Sequence, residues 1–439
     1  MSNSLRERLL DEMRSIRTVD CHSHTALRRE YYEIEERSLF TMMAYFAREI
    51  DNATGKGSGQ PLSEAGPRTG LYKGARRTHG VLTDGERWER LRGVLDRCRN
   101  VSYWRHNIVT YREVFGFEGE ELSDDNWEAL NECIVERTAD EGWYEHVTNA
   151  VCNLETQIRN VPWFEDWEPE YFTCTLRMER ALEMHDAEAR ASLEKQLDCS
   201  ITSLYELKAA LLALIEQYKK RGSVGIKLAH AYRRTLHSED VPESVAAGVF
   251  EKALAGGELT WPERKRLEDH IIFFLAQVAG ELGQVFQIHT GVQGNWGNVP
   301  ESNPLHLVPL IHANRSTRFD LFHAGYPYSR HIGMLAKHSA NVWLNMAWMY
   351  VITMEGSRQS LSEWIDLVPG DRILGFGSDV RWPEMIHGHL VMARSCIADV
   401  LAQKVERDFL SEEAAMSLIQ QMLRGNAMSL YGLPMDSTA

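Results

Sequence analysis

The sequence predicts an α/β fold: a (β/α)8 TIM barrel with a helical insertion after strand 1. Short apolar runs alternate with helical patterns over most of the chain, and this alternation is typical of a parallel sheet whose strands are joined by helices. Eight candidate strands can be counted, which favours a closed barrel over an open sheet. No GxGxxG motif follows any of these strands, so a doubly wound dinucleotide-binding fold is the weaker alternative.

The elements follow one another in a regular order. A short helix is expected at residues 5–16, and it leads into the stretch TVDCHSHT, which is the first candidate strand. Seven further apolar runs are the other candidate strands, and helical patterns separate them. Together they predict one domain over residues 1–439, with strands at 18–25, 147–155, 171–179, 223–232, 284–292, 318–327, 341–349 and 372–380.

A long segment at about 26–145 interrupts the alternation, because it lacks strand signals. It contains a polar, glycine-rich stretch at 51–70 that predicts a loop. Helical patterns flank this stretch, among them 87–98 and 123–142. We expect a helical insertion near the mouth of the barrel, which could act as a lid.

The composition limits the classes of binding partner and the cellular compartment that we expect. The 439 residues carry a net charge of −15, so neither nucleic acid nor a membrane surface is expected as a partner. No window reaches the roughly 18 apolar residues of a membrane span, and the charged N-terminal stretch lacks the apolar run of a signal peptide. Seven cysteines without a CxxC pair indicate reduced thiols and a cytoplasmic protein. We expect a small-molecule substrate as the main partner.

Two histidines in TVDCHSHT, His22 and His24, stand one residue apart at the end of the first strand. Residues i and i+2 of a strand point to the same face, with Cα atoms about 6–7 Å apart. Two neutral imidazoles on one face can bind one divalent metal ion. The alternative is a pair of polar side chains hydrogen-bonded to the backbone, and the motif alone leaves both open.

Four further polar residues fall near the C-terminal ends of other candidate strands. They are Lys227 in strand four, His289 in strand five, His323 in strand six and Asp379 in strand eight. In a barrel of this type, the C-terminal ends of the strands build the active site. Each residue alone has an ordinary structural explanation, such as a hydrogen-bonded strand end. Together with the histidine pair they predict a metal site, because imidazole and carboxylate ligands suit zinc, manganese or iron.

The ordered set His22-Ser23-His24, Lys227, His289, His323 and Asp379 resembles the metal-binding pattern of the amidohydrolase superfamily. The closing stretch GNAMSLYGL at 425–433 is similar to the end of domains of its amidohydrolase 2 group. The long insertion resembles that of uronate isomerase and its relatives. The resemblance implies a homo-oligomer with one or two divalent ions, zinc being expected and manganese or iron being alternatives.

The resemblance also implies a role for each ligand. His22, His24 and Asp379 would bind the more buried ion. His289 and His323 would bind a second ion where one is present.

Lys227 stands where binuclear members carry a lysine that CO2 carbamylates and that bridges the two ions. An apolar strand would lower the pKa of Lys227 and favour that reaction. The alternative is a mononuclear site, in which Lys227 binds a substrate carboxylate and His323 holds or polarises the substrate.

The expected activity is metal-dependent hydrolysis of a C–N or C–O bond at a carbonyl centre, since a divalent ion lowers the pKa of bound water toward ~7. Asp379 is the expected general base, and His323 is the second expected catalytic residue. The alternative is a non-hydrolytic reaction on the same site, either uronate isomerase-like or a decarboxylation. A binding protein that has lost catalysis is a third class, and the complete ligand set argues against it.

Arginines and aromatic residues in the loops after the strands predict a small, carboxylate-bearing substrate. A guanidinium group matches a carboxylate with two hydrogen bonds, although a solvated loop charge is the alternative for each arginine. Arg234, Arg330 and Trp382 belong to these loops. The residues that we expect to contact the substrate are Tyr232, Arg233, Trp296, Tyr326 and Arg381.

Overall fold

Eight strands form one parallel sheet that runs in sequence order from β1 to β8. The computed structural model describes residues 4–33, 37–43, 46–53, 83–294 and 298–434. Each strand pairs in parallel with the next, so the predicted (β/α)8 barrel is confirmed. The strands are β1 Thr18–Ser23, β2 Leu154–Val161, β3 Phe172–Arg177, β4 Gly225–Leu228, β5 Val285–Ile288, β6 Arg318–Leu321, β7 Val342–Asn345 and β8 Ile373–Leu374.

Backbone hydrogen bonds bring the two ends of the sheet together. β8 is only two residues long, and the chain that follows it runs beside β1. The Cys21 N–H donates to the Phe376 carbonyl (3.1 Å), and the Asp379 N–H donates to the His22 carbonyl (2.8 Å). The barrel is therefore nearly closed, and His22 and Asp379 lie next to each other.

Helices join successive strands, as the alternation predicted, except at 162–171 between β2 and β3, where the chain forms only turns. Several begin at side-chain caps: at Thr260, the hydroxyl accepts from the Glu263 N–H while the Glu263 carboxylate accepts from the Thr260 N–H. The helices are Leu5–Ser15 before β1; Ala187–Leu197 and Leu204–Lys220 before β4; Glu243–Leu254 and Trp261–Glu281 before β5; Val308–Ala313 before β6; Ser329–His338 before β7; Met349–Ile352 and Met354–Leu367 before β8; and Pro383–Glu406, Glu412–Gln420 and Asn426–Tyr431 after β8.

The second strand lies later in the chain than the sequence predicts. The prediction of a strand at 147–155 is wrong over most of its length, because His146–Val151 forms a π-helical turn and β2 begins at Leu154. Asn153, with a φ of 52°, ends the helical turn in the left-handed region. A short apolar run does not distinguish a buried helical turn from a strand by its periodicity.

The segment between β1 and β2 is a helical insertion, as predicted for about 26–145. Most of the predicted glycine-rich loop at 51–70 lies outside the described residues. The described helices of the insertion are Arg28–Glu33, Leu39–Met42, Ala47–Ala53, Asp84–Cys98, Ser102–Phe115, Trp127–Ala139 and Trp143–Glu145.

The insertion packs against the helix Pro383–Glu406 through a close approach and a buried acid. A Cβ added at Gly388 would lie 2.1 Å from Thr110 Oγ1, so glycine is required for the two helices to come this close. The buried Glu384 carboxylate accepts hydrogen bonds from the Tyr31 hydroxyl and, at 2.9 Å, from Trp143 Nε1. These contacts attach the insertion to the element that directly follows β8.

The N-terminal part of the barrel interior is apolar, and the C-terminal helix packs against it. The Tyr431 hydroxyl reaches further in, where it donates to the Asp320 carboxylate and accepts from Gln287 Nε2 (2.7 Å). Polar side chains therefore replace apolar ones toward the middle of the barrel. The apolar base contains Val19, Ile158, Val285 and Leu374 of the strands and Ala427, Met428 and Leu430 of the C-terminal helix.

All seven cysteines lie in the described part of the chain, and each is a free thiol. Among the described helices, none is both long enough and apolar enough to cross a membrane.

Candidate metal centre

His22, His24 and Asp379 meet at the C-terminal end of the barrel. His22 Nε2 lies 3.2 Å, and His24 Nε2 lies 3.3 Å, from the same oxygen, Asp379 Oδ1. Ligands bound at about 2.0–2.1 Å to a tetrahedral zinc ion lie about 3.3–3.4 Å from each other, so the spacing fits one shared divalent ion. Among the described residues, His22, His24 and Asp379 form the group whose donor atoms lie close enough together to share one metal ion.

Unusual backbone geometry places these ligands. Asp379 has a φ of 53° and His323, after β6, a φ of 62°, both in the left-handed region that non-glycine residues rarely adopt. A Cβ added at Gly377 would lie 2.7 Å from Ala347 Cβ and 3.3 Å from His22 Cβ. Glycine at this position lets the chain pass close to His22 just before Asp379. Backbone strain of this kind clusters at functional sites.

The buried carboxylate of Asp20 holds the two ligand-bearing segments together. Its Oδ1 accepts from the His22 N–H (3.2 Å) and the Ser378 N–H (2.7 Å), and its Oδ2 accepts from the Ser378 hydroxyl. Burial raises the pKa of Asp20 to about 7, although these hydrogen bonds act in the opposite direction. Because Ser378 precedes Asp379, Asp20 fixes the spacing between the ligands of β1 and those after β8.

Burial keeps the two histidines in the neutral form, which is the form that binds metal ions. It lowers the pKa of His22 well below its ordinary value, and the positive charge of Lys227 adds to this effect. Desolvation also lowers the pKa of His24, although 39% of its side chain is open and Asp379 opposes the shift. Neutral imidazole nitrogens and a carboxylate that surround one point attract a cation, so the donor set fits a divalent ion.

Lys227 of β4 is buried beside this centre and lacks a hydrogen-bond acceptor. It is 2% exposed, and its Nζ makes no hydrogen bond to any described residue. The Nζ lies 3.3 Å from the centroid of the Phe322 ring, which is a cation–π contact. Burial lowers the pKa of Lys227 to about 7, opposed by Asp379 and Asp320. The amine and the ammonium forms therefore coexist near neutral pH, and both predicted roles of Lys227 stay predictions.

His289 and His323 contact each other and two backbone carbonyls. His323 Nε2 lies 2.9 Å from His289 Nδ1. His323 Nδ1 lies 3.0 Å from the Ala347 carbonyl oxygen, and His289 Nε2 lies 2.6 Å from that of Val292. These three contacts need three N–H protons, whereas two neutral imidazoles carry two. Burial lowers the pKa of both rings, so both are neutral and the two carbonyls take both protons. His323 Nε2 and His289 Nδ1 therefore face each other without a proton between them.

A cavity of about 470 Å³ opens over the metal centre, and His22, His24, Asp379, Lys227 and His289 line it. This volume is typical of small-molecule sites. The described residues of the insertion do not contribute to the lining, so the described helices give the predicted lid role no support. Residues 54–82 of the insertion lie outside the described chain.

Two of the predicted substrate residues, Tyr232 and Arg233, line the cavity. The Tyr232 and His289 ring centroids are 4.7 Å apart. Arg233, which is largely exposed, forms an ion pair with Glu183 at the rim. Tyr232 and Arg233 are therefore placed where they can reach a substrate in the cavity, and their contact with it stays a prediction.

Two other predicted substrate residues, Tyr326 and Arg381, are not part of the cavity lining. Tyr326 packs against Gly356, at the start of the helix before β8. Arg381 is exposed, and its guanidinium carbon lies 5.4 Å from the centroid of the Trp382 ring. Trp296 lies outside the described residues.

The remaining arginines of these loops have structural partners. Arg234 lines the cavity, but its guanidinium is buried in ion pairs with Glu268 (3.0 Å) and Asp269. Arg330 is 80% exposed and pairs with Glu363 on the surface.

Arg177 and His230 also line the cavity, and the sequence analysis missed them. Arg177 ends β3, donates from Nε to Glu179 (3.2 Å) and leaves 39% of its side chain exposed. His230, just after β4, is 2% exposed, and its ring nitrogens have no hydrogen-bond partner in the described chain. The rule that found Lys227, a polar residue near the end of a strand, could have found Arg177.

Comparisons with known proteins agree with this site. The amidohydrolase family matches residues 207–433, which is more than half of the chain. The chain is 27% identical to protein fluG of Emericella nidulans over 221 residues, 48% of this chain and 26% of that protein. It is 24% identical to the uronate isomerase of Nostoc punctiforme over 261 residues, 55% of this chain and 54% of that protein. The alignments thus span about a quarter and about half of these curated relatives.

The fold has a close counterpart among solved structures. The glucuronate isomerase of Caulobacter crescentus superposes with a TM-score of 0.80 at 17% identity, over 98% of this chain and 94% of that one. The family match, the eight-stranded barrel and the ligand trio at its C-terminal end point to the same conclusion. The chain belongs to the amidohydrolase 2 family and is an enzyme of the amidohydrolase superfamily.

Proposed function

We propose that this protein is a metal-dependent isomerase that interconverts the aldose and ketose forms of a small sugar acid. The observation that carries the proposal is the one-ion geometry of His22, His24 and Asp379 under a cavity that Lys227 and Arg177 line. Two similar proteins are named as isomerases of uronate and glucuronate, which supports a sugar acid as the substrate class. We therefore prefer isomerisation to hydrolysis, which was the activity expected from the sequence.

The convergence of three donor atoms supports a single ion at His22, His24 and Asp379. The Nε2 atoms of His22 and His24 converge on Asp379 Oδ1, whereas backbone carbonyls hold His323 Nδ1 and His289 Nε2. A divalent ion held there would polarise the carbonyl and hydroxyl oxygens of a bound sugar.

Two cationic groups suit the substrate carboxylate. Apart from the bond from Nε to Glu179, the Arg177 guanidinium makes no hydrogen bond to described residues, so its terminal nitrogens can pair with a carboxylate in a bidentate manner. Lys227 adds a second positive charge in surroundings where water screens charges weakly. A carboxylate would also satisfy the otherwise unpartnered Lys227 Nζ.

Aldose-to-ketose isomerisation moves one proton from C2 to C1 and the hydroxyl proton from O2 to O1, and the carbonyl group moves from C1 to C2. We assign the transfer from C2 to C1 to Asp379 Oδ2, which makes no hydrogen bond to described residues and lies 3.9 Å from His323 Nδ1. A carboxylate beside the substrate can accept the proton from one carbon and return it to the next. The neutral ring of His230 can hydrogen-bond to sugar hydroxyls.

Hydrolysis is the second candidate, and Lys227 is the observation that favours it. An unpartnered amine with a pKa of about 7 is suited to react with CO2, as the predicted binuclear site requires. In that case the carbamylated Lys227 would bind the metal ions, and it would no longer pair with a substrate carboxylate.

The test is NMR of the zinc- or manganese-supplemented protein with D-glucuronate and D-galacturonate as probes. The proposal expects ketose signals to appear with wild-type protein and to be lost in Asp379→Asn. Absence of ketose signals from the metal-loaded protein, together with hydrolysis of N-acyl amino acids or lactones, would favour the second candidate.

A further inference from the structure

A second cavity, of about 390 Å³, lies on the outside of the barrel. It is enclosed by the first helix with Arg14, by the segment around Val151 before β2, and by the helix Pro383–Glu406 with His387 and Arg394. It shares no lining residue with the cavity over the metal centre. It is thus a separate space with its own chemistry.

Arg394 is the unusual feature of this cavity. It is 6% exposed, and its guanidinium makes no hydrogen bond or ion pair with any residue in the described ranges; its Nε is fully covered. Every other arginine that is equally buried in the described chain has at least one oxygen acceptor. These are Arg37, Arg87, Arg159, Arg190 and Arg234.

The cavity lining contains one carboxylate, Glu113, and it makes no ion pair with Arg394. Arg14 adds positive charge and has its own partner, Asp11 (2.7 Å). Glu113 is half exposed at the rim and approaches His387 (4.0 Å). Burial raises the pKa of the neighbouring Cys152 thiol, so that thiol stays neutral. Burial lowers the pKa of Arg394 only to about 10, so the guanidinium remains charged at neutral pH.

A buried charge without a partner is strongly unfavourable. Its cost falls when an anion enters the cavity, because a guanidinium pairs with the oxygens of a carboxylate or phosphate through two parallel hydrogen bonds. His387 also lines the cavity; burial lowers its pKa to about 4, although the Val151 carbonyl opposes the shift. The cavity therefore has the charge and the donors of an oxyanion site.

We propose that this cavity binds a small oxyanion, a phosphate or a carboxylate, with Arg394 as its central contact. The site is independent of the metal centre and of the reaction proposed above. It would stabilise the junction between the first helix, the segment before β2 and the helix Pro383–Glu406.

Titration calorimetry of the full chain with inorganic phosphate and with succinate tests the proposal and separates the two anion sources. At least one probe should bind, and Arg394→Met should weaken that binding by about tenfold or more, since it removes a charged hydrogen-bond donor. Arg330→Met, at an exposed surface pair, should bind as wild type does. Arg394 lies outside the cavity over the metal centre, so weaker binding by Arg394→Met locates the anion in this second cavity. Binding of neither probe, or equal binding by Arg394→Met, would overturn the proposal.

Thermal unfolding without added anion gives an independent readout. Arg394→Met should unfold at a higher temperature than wild type, because an unpaired buried charge has been replaced by an apolar side chain. A lower unfolding temperature would show that Arg394 already has a stabilising partner. Should Arg394→Met not fold, Arg394→Lys should fold and bind the anion more weakly than wild type, and equal affinity would contradict the proposal.

Discussion

At the scale of single residues, Arg177 gives the proposed substrate class its most direct test. Arg177→Met is expected to raise KM for a sugar acid by about 10- to 100-fold, since a hydrogen bond to a charged group contributes about 1.5–3 kcal/mol. The change in kcat should be smaller, because the reacting carbons lie away from the carboxylate. Steady-state kinetics on the metal-loaded protein measures both constants.

The control for this prediction is Arg330→Met, because Arg330 is exposed and pairs with Glu363 far from the cavity lining. It should leave KM unchanged. An equal KM for wild type and Arg177→Met would show that Arg177 does not bind the carboxylate.

Asp320 makes the stability of the barrel depend on pH. Burial raises its pKa from 3.8 to about 7, although hydrogen bonds from Tyr431 and Asn345 oppose the shift. Between these two values the folded state holds a proton that the unfolded state has released, so the contribution of Asp320 to the free energy of unfolding falls as the pH rises. Asp320→Asn stays neutral and should gain stability relative to wild type from pH 5 to pH 7.5.

Urea unfolding of both proteins at these two pH values measures the difference. Asp20 is present in both proteins, so its contribution cancels in the comparison. Lys227 does not cancel, because the Asp320 charge raises its pKa, and the loss of that charge in Asp320→Asn reduces the gain in stability above pH 7. If the free energy of unfolding of Asp320→Asn differs from that of wild type by the same amount at both pH values, the raised pKa of Asp320 is contradicted.

At the scale of elements, the close contact between two helices attaches the insertion to the barrel. Gly388→Ala is expected to lower the free energy of unfolding by about 1–3 kcal/mol, because the added Cβ would contact Thr110. Gly93→Ala is the matched control: it lies in the helix Asp84–Cys98 with no atom within 4 Å of an added Cβ. It should raise stability by roughly 1 kcal/mol. Chemical denaturation measures the free energy of unfolding of both variants. A change of the same sign in the two would contradict the close contact between Gly388 and Thr110.

The elements that the sequence could predict are those with a repeated pattern. The alternation of strands and helices gave the barrel, and the barrel rule placed His22, Lys227 and Asp379 at one end. The helical turn before β2 was missed because its apolar residues fit a strand equally well. Gly388 was missed because a glycine within a helical pattern does not reveal the neighbouring helix that requires it.

Side-chain partners were the least predictable part of the site. His289 and His323 follow their strands as expected, but their contact with each other depends on distances that spacing in the sequence does not give. Tyr326 and Arg381 were chosen for their position in loops after strands, and the side chains of both lie outside the cavity lining. Loop conformation decides such cases, and it depends on the packing of the whole barrel.

At the scale of the whole molecule, the metal centre lies where the chain closes on itself. The ligands of β1 and the ligand after β8 are joined by backbone hydrogen bonds and by the Asp20 carboxylate. Formation of the ligand trio therefore requires the complete barrel, and metal binding should stabilise the closed form. A single domain over 1–439, a homo-oligomer and a cytoplasmic location stay predictions from the sequence.

The number of metal ions per chain, together with the intact mass under native conditions, distinguishes a one-ion isomerase from a binuclear hydrolase. We expect one divalent ion, no additional mass from CO2 on Lys227, and loss of the ion in His24→Ala. His306→Ala should keep the ion, because His306 lies outside the cavity lining, near Glu301. Two ions with the added mass of CO2 would contradict this expectation and would indicate a binuclear, hydrolytic site bridged by Lys227. No ion even after supplementation would contradict the metal centre itself.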